Sequence, residues 1–130
     1  MRLHAALVFA ALSLSVLADL ATDAEKQDWP AVSAQISAKA AINTAQADGT
    51  TALHWAAYHD KADIVTQMLA AGAKADTANH YGVTPLLLAC QNGSEEIVRS
   101  LLNAGADSNV KQRGGETALM IASARANLAR

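Results

Sequence analysis

The sequence predicts an all-α solenoid of stacked helix–turn–helix units joined by β-turn loops. Three observations carry that prediction: an alanine-rich composition, an internal period of 33 residues, and helix start and stop signals that recur at the same period. Of 130 residues, 31 are Ala and 15 are Leu, and only five are aromatic. That balance suits small helices packed closely together, whereas a sheet core draws on β-branched and aromatic side chains. With 52% hydrophobic and 17% charged residues the chain can bury a core, and its length fits one domain.

The period appears when the sequence is slid against itself. Gly49-Thr50-Thr51-Ala52-Leu53-His54-Trp55-Ala56-Ala57 aligns with Gly82-Val83-Thr84-Pro85-Leu86-Leu87-Leu88-Ala89-Cys90, and again with Gly115-Glu116-Thr117-Ala118-Leu119-Met120-Ile121-Ala122-Ser123. Downstream, Ile64-Val65 matches Ile97-Val98, Leu69 matches Leu102, and Gly72-Ala73 matches Gly105-Ala106. A repeat of this length implies units that bury their apolar faces only against neighbours.

Each element follows in order. Residues 1–18 open with Arg2, run through fourteen residues no more polar than serine (5–18), and end in Val16-Leu17-Ala18 before Asp19. This is the order of an export signal, with cleavage expected after Ala18. The run is too short for a permanent membrane span. The bland alternative is a buried helix of the domain itself. A degenerate capping unit is expected over residues 19–48. Lys39 stands there at the helix-ending glycine position, and Asp23 replaces an inward alanine. Full units are expected over 49–81 and 82–114. In the latter, Thr84-Pro85 begins the first helix, with Leu86, Ala89 and Cys90 facing inward. Its second helix, 95–102, is expected to bury Ile97, Val98, Leu101 and Leu102. Gly72 and Gly105 end second helices in a left-handed conformation, while Gly49, Gly82 and Gly115 make the turns between units. The last unit, 115–130, stops after its first helix. It reads as a fragment of a longer array, the alternative being a terminal helix that caps the stack.

These residues resemble the ankyrin repeat family, whose pattern runs D-x-x-G-x-T-P-L-H-x-A-A, a second helix ending L-L, then G-A-D-x-N. Thr51-Ala52-Leu53-His54 and Thr84-Pro85-Leu86-Leu87 stand at its T-P-L-H position, and Gly105-Ala106-Asp107-Ser108-Asn109 reads as its post-helix loop. The likeness covers about residues 20–130. It implies a concave face that binds a protein partner, and with the export signal of residues 1–18 the chain reads as an exported, bacterial-type repeat protein. It also implies that His54 bonds backbone between units.

Nothing in the chain suggests catalysis. There is no G-x-S-x-G, no Gly-rich phosphate loop and no H-E-x-x-H, and His54 and His59 are five apart rather than the three or four of paired helix ligands. No catalytic residue, cofactor or metal site is therefore expected; His59, His80 and Asp60 are the one grouping whose spacing lets it meet across units. Cys90, the single cysteine, falls at a small inward position and reads as structural. A formal charge of −2 without a clustered basic face argues against nucleic acid.

Carried over by alignment, the resemblance places recognition at Asp48, Thr50, Tyr58, His59, His80, Tyr81, Gln91 and Asn92, with Ala47, Val83, Arg113, Gly114 and Glu116 beside them. Both tyrosines fall at these outward positions, and tyrosine is a favoured interface anchor. Trp55 is expected in the core against Leu88, and Trp29 at the edge of the cap. The sequence thus reads as a non-enzymatic, monomeric interaction module in the periplasm or secreted. The alternative is a scaffold or spacer within a longer chain.

Overall fold

The computed structural model describes residues 19–39 and 41–109. The expected signal (1–18), the last unit (115–130), and Arg113, Gly114 and Glu116 lie outside the described residues. Six helices are described: α1 (Leu20–Glu25), α2 (Trp29–Ser37), α3 (Ala52–Tyr58), α4 (Ala62–Ala70), α5 (Pro85–Asn92) and α6 (Glu95–Asn103). They pair as α1–α2, α3–α4 and α5–α6. The first helices stack as one row, α1 on α3 on α5, and the second helices as another, α2 on α4 on α6. A tight turn precedes α3, marked by the antiparallel bridge between Ala45 and Thr51. The same backbone bond recurs one unit on, from Gln46 N–H to Thr50 C=O (2.8 Å) and from Asn79 N–H to Val83 C=O (2.9 Å).

Local chemistry explains where the helices begin. The Asp19 carboxylate accepts the Ala21 N–H and Asp28 accepts that of Ala31, each at 3.3 Å, so both helices of the first unit have acidic caps. Thr84 Oγ1 accepts the Leu87 N–H at 3.3 Å, and Pro85 occupies the first position of α5, where no donor is missed. Alanine then lets the inner row close up. Ala52, Ala56, Ala57 and Ala89 are fully buried and Cys90 nearly so. Ile97 and Leu101 of α6 are buried and Val98 is half-buried, but Leu102 is exposed at 42%. Its counterpart Leu69 is half-buried on α4, which has α6 packed alongside, whereas α6 is the last helix described.

The first unit departs from the others in one pair. Ala56 and Met68 are fully buried in the second unit, as are Ala89 and Leu101 in the third. The equivalent residues in the first unit are Asp23 and Gln35, and the Gln35 amide donates to the Asp23 carboxylate. A polar pair that satisfies itself thus stands where later units bury apolar side chains.

Backbone handedness repeats with the period. Lys39, Gly72 and Gly105, at 33-residue steps, have φ of 59°, 96° and 97°, ending α2, α4 and α6. Gln27, Asp60 and Gly93 form a second such series, at 62°, 59° and 72°, between the two helices of each unit. The stack therefore imposes a left-handed residue at both places whether or not glycine is available. At Gly49 (φ 85°) the reason for glycine is also spatial, since an added Cβ would lie 3.1 Å from His80 Cδ2 and 3.2 Å from Asn79 Cα.

Units two and three are locked by His54, which is 1% exposed. Its Nδ1 accepts the Thr51 N–H at 3.0 Å, and an amide can only donate, so the ring proton sits on Nε2. Nε2–H then donates to the Val83 carbonyl of the next unit at 2.9 Å. Further bonds cross between units. The Lys74 N–H donates to Asn43 Oδ1 (2.8 Å), and 33 residues later the Asp107 N–H donates to Asp76 Oδ1 (3.1 Å). Ser94 donates to Asp60, and the Asn92 amide to the carbonyls of Ala57 and Tyr58.

Lys39→Gly should stabilise the fold. An L-residue in the left-handed region costs ~1–2 kcal/mol, partly offset by the ~0.5–1 kcal/mol entropy cost of glycine. Thermal melting should show a rise of a few degrees, and a fall would contradict the shared geometry. His54→Ala should cost about 2–4 kcal/mol, because it opens a cavity and strands the Thr51 and Val83 backbone groups. Burial holds His54 below the ordinary histidine value of 6.5. The unfolded chain then binds the proton more readily, so stability is full above about pH 6.5 and is lost as pH falls through the folded-state value. Denaturant midpoints compared between pH 8 and pH 5 should show this loss, and it should shrink in His54→Ala.

Candidate protein-binding groove

The two successive turns and the inner helices do not close on each other completely. Between units two and three they leave a groove of about 340 Å³, lined by Asp48, Thr50, His54, Trp55, Tyr58, Asn79, Val83 and Leu88. Its walls are related by the repeat, since Thr50 and Val83 are equivalent turn positions and Trp55 and Leu88 equivalent helix positions. The turns stack through the His80 N–H, which donates to the Asp48 carbonyl at 2.8 Å.

Three expected recognition residues, Asp48, Thr50 and Tyr58, come together here, with Val83. Asp48 Oδ1 accepts the Thr50 N–H at 3.0 Å, and these bonds with Thr50 hold its carboxyl below the usual carboxylate value. Thr50 itself is only 6% exposed. Its hydroxyl accepts from the Asn79 amide at 3.2 Å, so it shapes the groove wall rather than presenting a free group. Tyr58 is 52% exposed and stands at the C-terminal end of α3.

The remaining expected residues lie elsewhere. His80, Tyr81 and Gln91 are exposed but do not line the groove, with Tyr81 at 56% on the second turn. Asn92 is half-buried, its amide committed to the carbonyls of the preceding unit. His59 enters an aromatic cluster. It stacks on Trp55 (centroids 6.0 Å apart, planes at 21°) and meets Tyr58 and Trp29 edge-on at 4.9 and 5.8 Å. Its Nε2 is buried with no hydrogen-bond partner among the described residues. Burial there, reinforced by the Lys61 charge, holds the imidazole below its ordinary pKa. Lys61 Nζ lies 5.8 Å from the centre of the Trp29 ring. Among the described residues, His59, His80 and Asp60 form no three-residue cluster suited to a metal. Cys90 is buried and free, and burial pushes its thiol pKa up.

Four lining residues were not expected in a site: His54, Trp55, Asn79 and Leu88. Trp55, expected in the core against Leu88, is half-buried, as is Leu88 at the equivalent position one unit on. The Trp55 Nε1–H donates to Gln46 Oε1 at 3.0 Å and its ring remains in the groove wall with Leu88. The recurrence of Trp55 and Leu88 at one repeat position was the available signal.

Among the described residues no helix is long and apolar enough to cross a membrane. No curated protein matches the chain. The family model described as ankyrin repeats (3 copies) matches residues 20–112 and 60–129. That match spans most of the chain and agrees with the three stacked helix pairs, so the chain belongs to the ankyrin repeat family.

Proposed function

We propose that this chain is an exported, non-enzymatic interaction module that docks a protein partner on the concave face between its second and third units. Ankyrin repeats generally mediate protein–protein interaction. The observation that supports the finer reading is the groove itself. Apolar walls from Trp55, Val83 and Leu88 surround a few fixed polar groups, with Tyr58 exposed at the rim. Aromatic anchors beside a fixed polar frame are what rigid-surface docking uses, since little side-chain entropy is lost when the partner arrives. Tyr81 and Gln91, outside the groove, are exposed as well. Export is supported by the order of charges and apolar residues in 1–18. It is supported also by the cap at Asp19, which a cut after Ala18 would leave intact on α1.

A photo-crosslinking residue in place of Tyr58 should capture a protein in the exported fraction, and the same residue in place of exposed Gln67 on α4 should not. Against that partner, purified, Tyr58→Ala with Tyr81→Ala should weaken binding at least tenfold, ~1.4 kcal/mol, with an unchanged helical spectrum. Equal capture from both positions, or unaltered affinity, would overturn the concave site. Intact-mass analysis of the exported protein should find a chain beginning at Asp19, and an unprocessed chain confined to the cytosol would overturn export.

A further inference from the structure

We propose that the groove is a subsite for one basic side chain, arginine or lysine, of the docked partner. This rests on the docking reading above and adds the chemistry of its anchor. Of the eight lining residues, Asp48 alone is ionised at neutral pH. No lysine or arginine lines the groove to neutralise it. His54 contributes no charge, because Nδ1 already accepts a backbone N–H and Nε2–H is already spent on Val83. The rest of the wall is largely apolar or aromatic, with Trp55 and Tyr58 on one helix and Val83 and Leu88 in the next unit.

That combination selects among side chains. A purely apolar group would cover Trp55 and Leu88 but would take water from the Asp48 carboxylate and give nothing back. An acidic or phosphorylated group would meet like charge. A basic side chain satisfies both parts of the groove, its methylene stem against the apolar wall and its charged head on the carboxylate and the aromatic rings. A guanidinium has the further advantage of a planar fork of donors, able to pair with a carboxylate and lie on an indole together. The volume suits a single side chain rather than a helix or a strand.

The test uses the whole exported chain at pH 8. The probes are the N-acetyl methylamides of arginine, lysine, citrulline and norleucine. The readout is the amide and indole NMR spectrum, with the Trp55 Nε1–H signal as reporter. Arginine or lysine should shift the Trp55 indole and the Thr50 amide saturably, in the millimolar range, and the relative strength of the two tells which head the site prefers. Citrulline and norleucine should leave both signals in place. Asp48→Asn keeps an acceptor for the Thr50 N–H and should abolish the response while leaving the helical spectrum unchanged. Equal shifts from citrulline or norleucine, no shift from either basic probe, or an unchanged response in Asp48→Asn would each overturn the basic-side-chain subsite. Capture of a partner through position 58 would stand in all three cases, so the two proposals fail separately.

Discussion

Alanine at the contact between inner helices is the constraint on which the other features depend. Ala56, Ala57 and Ala89 have no exposed surface, and the first helices they belong to pack directly on one another along the stack. Only that close approach brings the Val83 carbonyl within 2.9 Å of a histidine one unit away, and the His80 amide within 2.8 Å of the Asp48 carbonyl. A larger residue at any of these positions would pry the units apart, and the hydrogen bonds between them would lengthen together. The cooperativity of the stack is therefore a packing property first and a polar one second.

The same constraint decides which sequence features were legible. Positions buried between units had to be small or apolar in every unit, so self-comparison found the helices, their order and the inward faces. The series Gln27, Asp60 and Gly93 was not legible. Two of its three members carry side chains, and nothing in the local sequence around Gln27 or Asp60 marks a left-handed residue. Only their register with Gly93 could have shown it, because the turn between helices is dictated by the helix pair and tolerates a strained residue where glycine is missing. Lys39 was legible by that means, since its two counterparts are both glycine. Leu102 was misread because periodicity reports which face a side chain is on, not whether a neighbour covers it.

The groove was half legible for a related reason. Aligning the turns located Asp48, Thr50 and Tyr58, but alignment cannot separate a residue that faces a partner from one that supports it. Thr50 and Asn92 were read as recognition residues, yet their polar groups are used within the stack. Trp55 was expected in the core because Leu88 stands at the equivalent position one unit on. That position is half-buried in both units, and the indole lies in the groove wall with its Nε1–H donated to Gln46.

These assignments divide the polar groups by whether the fold has already used them. Both nitrogens of His54 are bonded, the Thr50 hydroxyl accepts from Asn79, and the Asn79 side-chain oxygen accepts the amides of Tyr81 and Val83. Such groups hold the groove rigid and have little left to offer a ligand. Tyr58 is the reverse case. Its carbonyl is fixed by Asn92, which anchors the end of α3, while its ring stays half in solvent. Asp48 is intermediate, spending an oxygen on its own turn and keeping a charge that the lining does not neutralise. A surface organised this way can change its specificity at Asp48 and Tyr58 without disturbing the bonds that stack the units. A change at His54 or Thr50 would alter the stack before it altered recognition.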